Sequence, residues 1–109
     1  MLVVNRFVVD GDDADFRTRA GTALAALAAR PGYLRGRLGR AYDDPTRWTL
    51  LTEWESVGAY RRALSAYDVK VNATPLLAES LDEPSAFEEL AEAAPGAAVV
   101  TAPSDLATS

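Results

Sequence analysis

Two polar side chains interrupt an otherwise apolar stretch near the start of the chain, LVVNRFVV over residues 2–9. Neighbouring residues of a strand point to opposite faces, so Asn5 shares a face with Val3 and Phe7, whereas Arg6 lies on the other face. Burying an amide or a guanidinium without a partner costs roughly 2 kcal/mol or more. Each polar group is therefore expected to meet a partner, or to line a cavity or an interface.

The amide of Asn5 suits one kind of chemistry in particular. A preorganised hydrogen-bond donor in an apolar cavity stabilises developing negative charge better than water does. We therefore take Asn5 as a candidate donor to an oxyanion or carbanion. The alternative is that its amide makes an ordinary structural hydrogen bond. Arg6, on the opposite face, is a candidate for contact with a second subunit.

The composition excludes several classes of function. The chain of 109 residues has no cysteine and no histidine, which removes thiol catalysis, disulfides, zinc sites of the usual kind and Ser-His or Cys-His nucleophile pairs. Its net charge of -5 argues against a nucleic-acid binder. The start MLVVNRF does not resemble a signal peptide and no apolar run could span a bilayer, so we expect a cytoplasmic protein. Because histidine and cysteine are missing, we expect no metal, and we expect no other cofactor.

The elements that would position these residues follow from the pattern of apolar and breaking residues. Asp12 and Asp13 can cap a first helix that Pro31 and Gly32 end, and Ser56 can cap a second helix that Pro75 interrupts. The predicted order is strand, helix, strand, strand, helix, strand, at about residues 2–9, 13–30, 33–42, 47–54, 57–66 and 85–90. In the second strand Leu34, Leu38 and Tyr42 are predicted on one face; in the third strand Trp48, Leu50, Thr52 and Trp54 form the inner face.

This order is that of the ferredoxin-like α+β fold, βαββαβ, with an antiparallel sheet. Helices on one side of such a sheet leave its other face open, and Leu2, Val4 and Val8 make that face too apolar for water. A homodimer that stacks two sheets is the simplest solution. We expect one domain over residues 1–90. From Ala91 to residue 109 we expect a tail rich in alanine and proline that is either mobile or laid over a partner.

With the elements placed, three segments carry a resemblance to a known family. They are NRF in the first strand, RPGYL before the second strand, and LLTEWESVGAYRRAL from the third strand into the second helix. Over residues 2 to about 90 the chain resembles the antibiotic biosynthesis monooxygenases, which are small dimeric α+β barrel proteins. The resemblance implies a homodimer that acts on a small molecule, and charge and hydropathy argue against nucleic acid and membrane as partners.

One branch of that family oxidises tricyclic aromatic polyketides to quinones with O2 and without metal or flavin. By resemblance, its active-site asparagine and tryptophan fall on Asn5 and Trp54, and a tyrosine used by some members falls on Tyr60. A further asparagine of such enzymes, four residues before the tryptophan, is Leu50 here. The catalytic candidates are therefore Asn5, Trp54 and Tyr60. The candidates for substrate binding are Phe7, Tyr33, Trp48, Leu50 and Leu64.

Other functions compete with this hypothesis. In the haem-degrading branch a tryptophan and an axial histidine lie where this chain has Ala63 and Asn72, so haem oxygenation is not expected. A dimeric ligand-binding or stress-related protein that kept the fold and lost the chemistry is the main alternative, and a cofactor-free isomerase or cyclase is a third. On spacing alone, Trp48, Trp54 and Tyr60 are also typical of packing residues.

Overall fold

The computed structural model describes residues 1–106, which form an α+β fold with helices on one side of an antiparallel sheet. Four strands make the sheet, in the spatial order β2-β3-β1-β4. This order and the chain order βαββαβ confirm the ferredoxin-like prediction. The elements are β1 (Leu2–Val8), α1 (Asp13–Ala28), β2 (Tyr33–Arg40), β3 (Arg47–Trp54), α2 (Val57–Ser65), α3 (Tyr67–Asn72), α4 (Thr74–Leu77), β4 (Ala86–Phe87), β5 (Ala91–Glu92) and β6 (Val100–Thr101).

Alternation along the two central strands divides the sheet into a helix side and an open side. In β1 the residues Val3, Asn5 and Phe7 are buried, and Arg6 between them is exposed. In β3 every second residue is buried, from Trp48 to Trp54. The two strands pair so that Asn5 lies opposite Leu50. The predicted facing of Asn5 and Arg6 is therefore confirmed.

The helices pack on the sheet largely through alanines. Asp12 caps α1 by accepting a hydrogen bond from the main-chain N–H of Ala14 at 2.9 Å, and Ser56 caps α2 in the same way through Ala59 at 3.0 Å. Small side chains allow helices to approach a sheet closely, so little space remains between the layers. The buried helical alanines are Ala20, Ala23, Ala26, Ala59 and Ala63.

The second strand differs from its prediction at both ends. It ends at Arg40, and an irregular register between Tyr33 and Arg35 shifts its pairing with β3. The extra residue leaves Leu34 exposed, with 58% of its surface accessible, although it was predicted to share a face with Leu38. Tyr42 was also predicted on that face, and it lies fully exposed beyond the strand. Bulges of this kind leave no clear mark in the alternation of a short strand.

Part of the predicted tail, residues 91–101, forms a small hairpin. Strands β5 and β6 pair antiparallel with each other and form a separate two-stranded sheet. The predicted last strand over residues 85–90 shortens to Ala86–Phe87, which pairs with β1. Residues 107–109 of the predicted tail lie outside the described residues. Within residues 1–106, no helix is long and apolar enough to cross a membrane.

Candidate active site

Asn5 lies in the middle of the helix side of the sheet. Only 8% of its surface is accessible, and its neighbours on this face are Val3, Phe7 and, across the strand pair, Leu50. Within residues 1–106 its side-chain amide makes no hydrogen bond. The fully buried side-chain nitrogen and oxygen atoms without a partner in this part of the chain are Arg30 Nε and Trp48 Nε1, so the Asn5 amide keeps some access to solvent although the residue as a whole is buried. The geometry keeps the donor function of Asn5 free.

Trp54 is the centre of an aromatic triad with Tyr33 and Tyr60. The ring of Tyr33 meets the indole edge to face with centroids 5.4 Å apart, and the ring of Tyr60 lies tilted at the same distance. Trp54 itself is 1% exposed. The structure therefore brings two of the three predicted catalytic residues, Trp54 and Tyr60, into contact together with Tyr33.

The indole N–H of Trp54 already has a partner inside the protein. It donates a hydrogen bond of 2.9 Å to the hydroxyl oxygen of Thr52, which is buried on the same face of β3. The ring is therefore oriented by Thr52, and in this arrangement it offers a flat wall instead of a donor. The sequence analysis placed Thr52 on the inner face without giving it a role. The signal was present, because a buried indole two residues away needs an acceptor.

Partial burial further favours the neutral form of the two tyrosines. Loss of solvent raises the pKa of Tyr60, and it raises the pKa of Tyr33 in the same direction. Both phenols are therefore neutral near pH 7. A neutral phenol can donate a hydrogen bond or deliver a proton, but it is a poor base.

A second aromatic group lies at the other end of β3. Phe7 and Phe16 meet with centroids 5.2 Å apart, Phe16 meets Trp48 at 5.4 Å, and the guanidinium of Arg40 lies 4.7 Å from the Trp48 ring. The indole nitrogen of Trp48 is buried and has no hydrogen-bond partner within residues 1–106. Phe16, from α1, completes this group and was not predicted. It could have been found from its place on the apolar face of the first helix.

The predicted residues thus fall into three parts of one layer. Asn5 and Leu50 lie between the two aromatic groups, and Leu50 and Trp54 are four positions apart in β3, about 13 Å at the rise of a strand. Leu64, from α2, is partly buried against the same core. Asn5 and Trp54 can therefore reach the same ligand only if it is an extended one that lies along the strand.

Among the hollows in the surface of the described residues are four of 160 to 430 Å³, and none of these four is lined by Asn5, Trp54 or Tyr60. A pocket between sheet and helices that contains these three residues stays a prediction. The hollow of 430 Å³ lies at the Arg6 end of the sheet, and Phe7 and Trp48 contribute to its lining.

The model of the family "Antibiotic biosynthesis monooxygenase" matches residues 1–71. The chain belongs to this family. The match includes β1, β3 and the whole of α2, and with them Asn5, Trp54 and Tyr60. The expected family is therefore confirmed, and with it an enzyme of the monooxygenase type.

Individual family members extend this comparison. Deoxynogalonate monooxygenase of Streptomyces nogalater is 34% identical over 84 residues, which are 77% of this chain and 71% of that protein. The crystal structure of SnoaB, a cofactor-independent oxygenase from Streptomyces nogalater, is 30% identical, covers 96% of this chain and 94% of its own, and superposes with a TM-score of 0.65. An asparagine-to-alanine variant of SnoaB is 34% identical over 73% of this chain and 82% of its own, with a TM-score of 0.66.

Proposed function

We propose that this family member is a cofactor-independent monooxygenase that oxidises a planar phenolic or anthrone-like molecule with O2. The observation that carries the proposal is the free amide of Asn5, buried on the helix side between two aromatic groups. The similarity to SnoaB, itself a cofactor-independent oxygenase, supports the same chemistry. A cytoplasmic location is part of the proposal.

In such a reaction the substrate supplies all the electrons. An anthrone loses a proton from its central carbon, and the resulting carbanion transfers electrons to O2 and forms a carbon–oxygen bond, which gives a peroxide. Cleavage of the O–O bond with loss of the second proton leaves a carbonyl, and the second oxygen atom leaves as water. One O2 thus converts a CH2 group into C=O and H2O. The protein has to bind the aromatic plane, stabilise the anion and exclude water.

Each of these tasks is assigned to a different residue on the helix side of the sheet. Asn5 donates a hydrogen bond to the substrate oxygen on which negative charge develops. Trp54, with its ring fixed by Thr52, holds the aromatic plane, and the neutral phenol of Tyr60 donates a proton or hydrogen bond. The remaining contacts to the substrate come from the residues predicted for binding, Phe7, Tyr33, Trp48, Leu50 and Leu64.

A substrate must open the helix side before it can reach Asn5. Tyr60 and Leu64 lie on α2 and are only partly buried, whereas Trp54 and Leu50 beneath them are 1% exposed. We propose that the side chains of α2 swing outward to admit the ligand. Movement of a few such side chains is a common part of ligand binding in small enzymes.

The open side of the sheet supports the proposed homodimer. Leu2, Val4 and Leu51 lie there in adjacent positions, only partly buried by their own chain. Arg6 forms an ion pair with Glu83 of its own chain at 3.3 Å, so its charge is already matched at the rim of this face. Stacking this side on a second copy would bury the apolar residues and close the two sheets into a barrel.

The test is quinone formation by purified protein in the presence of a strong chelator. Given anthrone-type substrates and O2, the protein is expected to form quinone well above the uncatalysed rate, with one atom of ¹⁸O2 in the product. Quinone formation no faster than in buffer, across a panel of anthrones and phenols, would overturn the proposal.

The second candidate is a ligand-binding protein of the same fold without turnover. Leu50 directly opposite Asn5 favours it, because this pair offers one donor and one apolar side chain to the ligand. Saturable quenching of tryptophan fluorescence by an anthrone, without any product, is the result this candidate predicts.

A further inference from the structure

Gly36 leaves a space on the helix side of β2. It pairs with the buried Thr52 of β3, in the row of the sheet next to that of Asn5. A Cβ built on this glycine would lie 2.7 Å from the hydroxyl oxygen of Tyr33, 2.8 Å from Cδ1 of Leu24 and 3.0 Å from Cγ2 of Thr52. The hydroxyl of Tyr33 therefore occupies the space that a side chain at position 36 would fill.

The irregular register at the start of β2 brings Tyr33 to this place. Tyr33 and Gly36 are three residues apart, and in a regular strand such residues point to opposite faces. The extra residue, Leu34, returns Tyr33 to the helix side, where its ring meets Trp54 edge to face with centroids 5.4 Å apart. Bulges commonly redirect a side chain beside an active site. The bulge and Gly36 thus act on the same group, the phenol of Tyr33.

The hydroxyl of Tyr33 is available to a ligand. Within residues 1–106 it makes no hydrogen bond, and it is not one of the fully buried polar atoms of that part of the chain, so solvent reaches it. Partial burial raises the pKa of Tyr33, which keeps the phenol protonated near pH 7. A protonated phenol donates one hydrogen bond. Tyr33 therefore offers a donor at the side of the aromatic layer.

The strand register places this donor well away from Asn5. Gly36 and Asn5 lie two strands apart, in neighbouring rows of the same face. With strands about 4.8 Å apart and a rise of about 3.4 Å per residue, their Cα atoms are about 12 Å apart. Even with the length of the asparagine side chain, two hydrogen bonds of about 2.9 Å do not reach one common atom over that distance. Asn5 and Tyr33 can hold one planar ligand only through two separate oxygens.

We propose that Gly36 determines specificity, because the space it leaves lets the Tyr33 hydroxyl donate a hydrogen bond to a second ligand oxygen, remote from the oxygen held by Asn5. The inference rests on the proposed function, in which Asn5 binds the oxygen that gains negative charge. It adds a substrate class, namely anthrones or phenols with a hydroxyl or keto group at the far end of the fused rings. Gly36 acts through Tyr33, so it affects binding and leaves the reacting carbon to Asn5.

The test compares two ligands that differ only in the place of one hydroxyl. In 3-hydroxyanthrone the hydroxyl is on an outer ring at the carbon farthest from the keto oxygen, and in 1-hydroxyanthrone it lies next to the keto oxygen. Dissociation constants for the full chain are measured without O2, by quenching of tryptophan fluorescence, so the measurement needs no turnover.

Three variants separate the hydroxyl from the space around it. Y33F removes only the hydroxyl, and G36A places a methyl group where the hydroxyl lies. The matched control is G39A in the same strand, because a Cβ there meets open space. G36A is also made in an L24A background, where the contact to Cδ1 of Leu24 is gone, so that the test does not depend on the folding of G36A alone.

We expect the unmodified protein and G39A to bind 3-hydroxyanthrone about 3-fold to 10-fold more tightly than 1-hydroxyanthrone, the factor that one net hydrogen bond supplies. Y33F and G36A should lose this preference, and Y33F should bind 1-hydroxyanthrone as the unmodified protein does. G36A added to Y33F should change the preference no further. In turnover with O2, the loss should appear in KM for 3-hydroxyanthrone and not in kcat.

The remaining outcomes overturn the inference. Equal affinities of the unmodified protein for the two ligands, or an equal loss for both in Y33F, would show that the hydroxyl makes no such contact. A preference that survives G36A, alone or in L24A, would remove the role of Gly36. Quinone formation without a preference overturns this inference alone, whereas a preference without quinone formation overturns the monooxygenase alone. Binding of neither anthrone overturns both.

Discussion

At the scale of single residues, the centre of the proposed site is the pair formed by Asn5 and Leu50. They lie opposite each other on adjacent strands, where Cβ atoms are typically about 5 Å apart. One position offers an amide and the other only a methyl-bearing side chain. An amide at both positions would give a ligand two donors.

Replacing Leu50 by asparagine therefore tests whether the second donor strengthens the chemistry. We expect L50N to raise the oxidation rate per folded molecule by about tenfold, which corresponds to about 1.4 kcal/mol of added stabilisation of the anionic transition state by a second donor. We also expect a loss of about 2 kcal/mol or more in the free energy of unfolding, since Leu50 is 1% exposed. The rate is measured by absorbance of the quinone and the stability by urea unfolding.

The matched control is L38N, on the other side of Leu50 in the same row of the sheet. It adds an amide one strand further from Asn5. An equal gain in rate from L38N would contradict the role given to position 50.

Thr52 is predicted to position the ring of Trp54. T52V removes the acceptor for the indole N–H and leaves that group buried, which we expect to destabilise the fold by about 1–3 kcal/mol. T52S keeps the hydroxyl and should retain the tryptophan emission of the unmodified protein, whereas T52V should shift it. Unfolding curves and emission spectra for the two variants that coincide would show that the hydrogen bond has no such role.

The sequence predicted which side chains face the helices wherever apolar and polar residues alternate clearly along a strand. The facing of Asn5 and Arg6 followed from alternation in β1, and the buried face of β3 followed from its tryptophans. The pairing of Trp54 with Thr52, and the distance between Asn5 and Trp54, depend on rotamers and on strand register. Local spacing indicates Thr52 as a possible acceptor for the indole, but it encodes neither the rotamer that makes the hydrogen bond nor the strand register.

At the scale of elements, Gly32 in the segment RPGYL lets the turn between α1 and β2 pack closely against α2. Gly32 has a φ of 86°, and a Cβ built there would lie 2.5 Å from the Cβ of Ala59 on α2. The turn from α1 into β2 therefore runs directly against the second helix. Glycine is required both by the backbone angle and by the close approach.

Comparison with Gly11 separates these two requirements. Gly11 has nearly the same φ, 84°, but open space where its Cβ would be. We expect G11A to cost about 1–2 kcal/mol from the backbone alone and G32A to cost about 1–3 kcal/mol more from overpacking. Urea unfolding gives both values, and equal losses would contradict the packing argument.

Element boundaries were predicted well where capping residues mark them and poorly where a bulge intervenes. Asp12 and Ser56 begin their helices as expected. The register shift between Tyr33 and Arg35 was not predictable, because one extra residue in a short strand leaves no distinct mark in the alternation of apolar and polar residues. The hairpin of β5 and β6 was missed because each strand is only two residues long and has no buried face.

At the scale of the whole molecule, the two partly buried tyrosines Tyr33 and Tyr60 couple stability to pH. Burial raises the pKa of Tyr60 and of Tyr33 above the ordinary value of about 10, so the folded protein holds these protons more tightly than the unfolded chain does. Their contribution is fully present below about pH 10 and is lost as the pH rises through that value toward the pKa of the folded state. We expect the free energy of unfolding to fall above about pH 10, and to fall less steeply in Y60F. An identical slope for Y60F would contradict the raised pKa.

The fold places the amide of Asn5, which makes no hydrogen bond within residues 1–106, between two aromatic groups, and the proposed oxygenase depends on that amide. The chain offers a matched pair for testing it, since its only two asparagines are Asn5 and Asn72, and Asn72 hydrogen-bonds to Asp68 on the surface of α3. The most direct measurement is the initial rate of O2 uptake with an anthrone substrate for N5A and N72A. We predict a loss of about 10²-fold to 10³-fold for N5A, the range observed when a single anion-stabilising donor is removed, and no change for N72A. A folded N5A protein that consumes O2 at the rate of N72A would contradict the account.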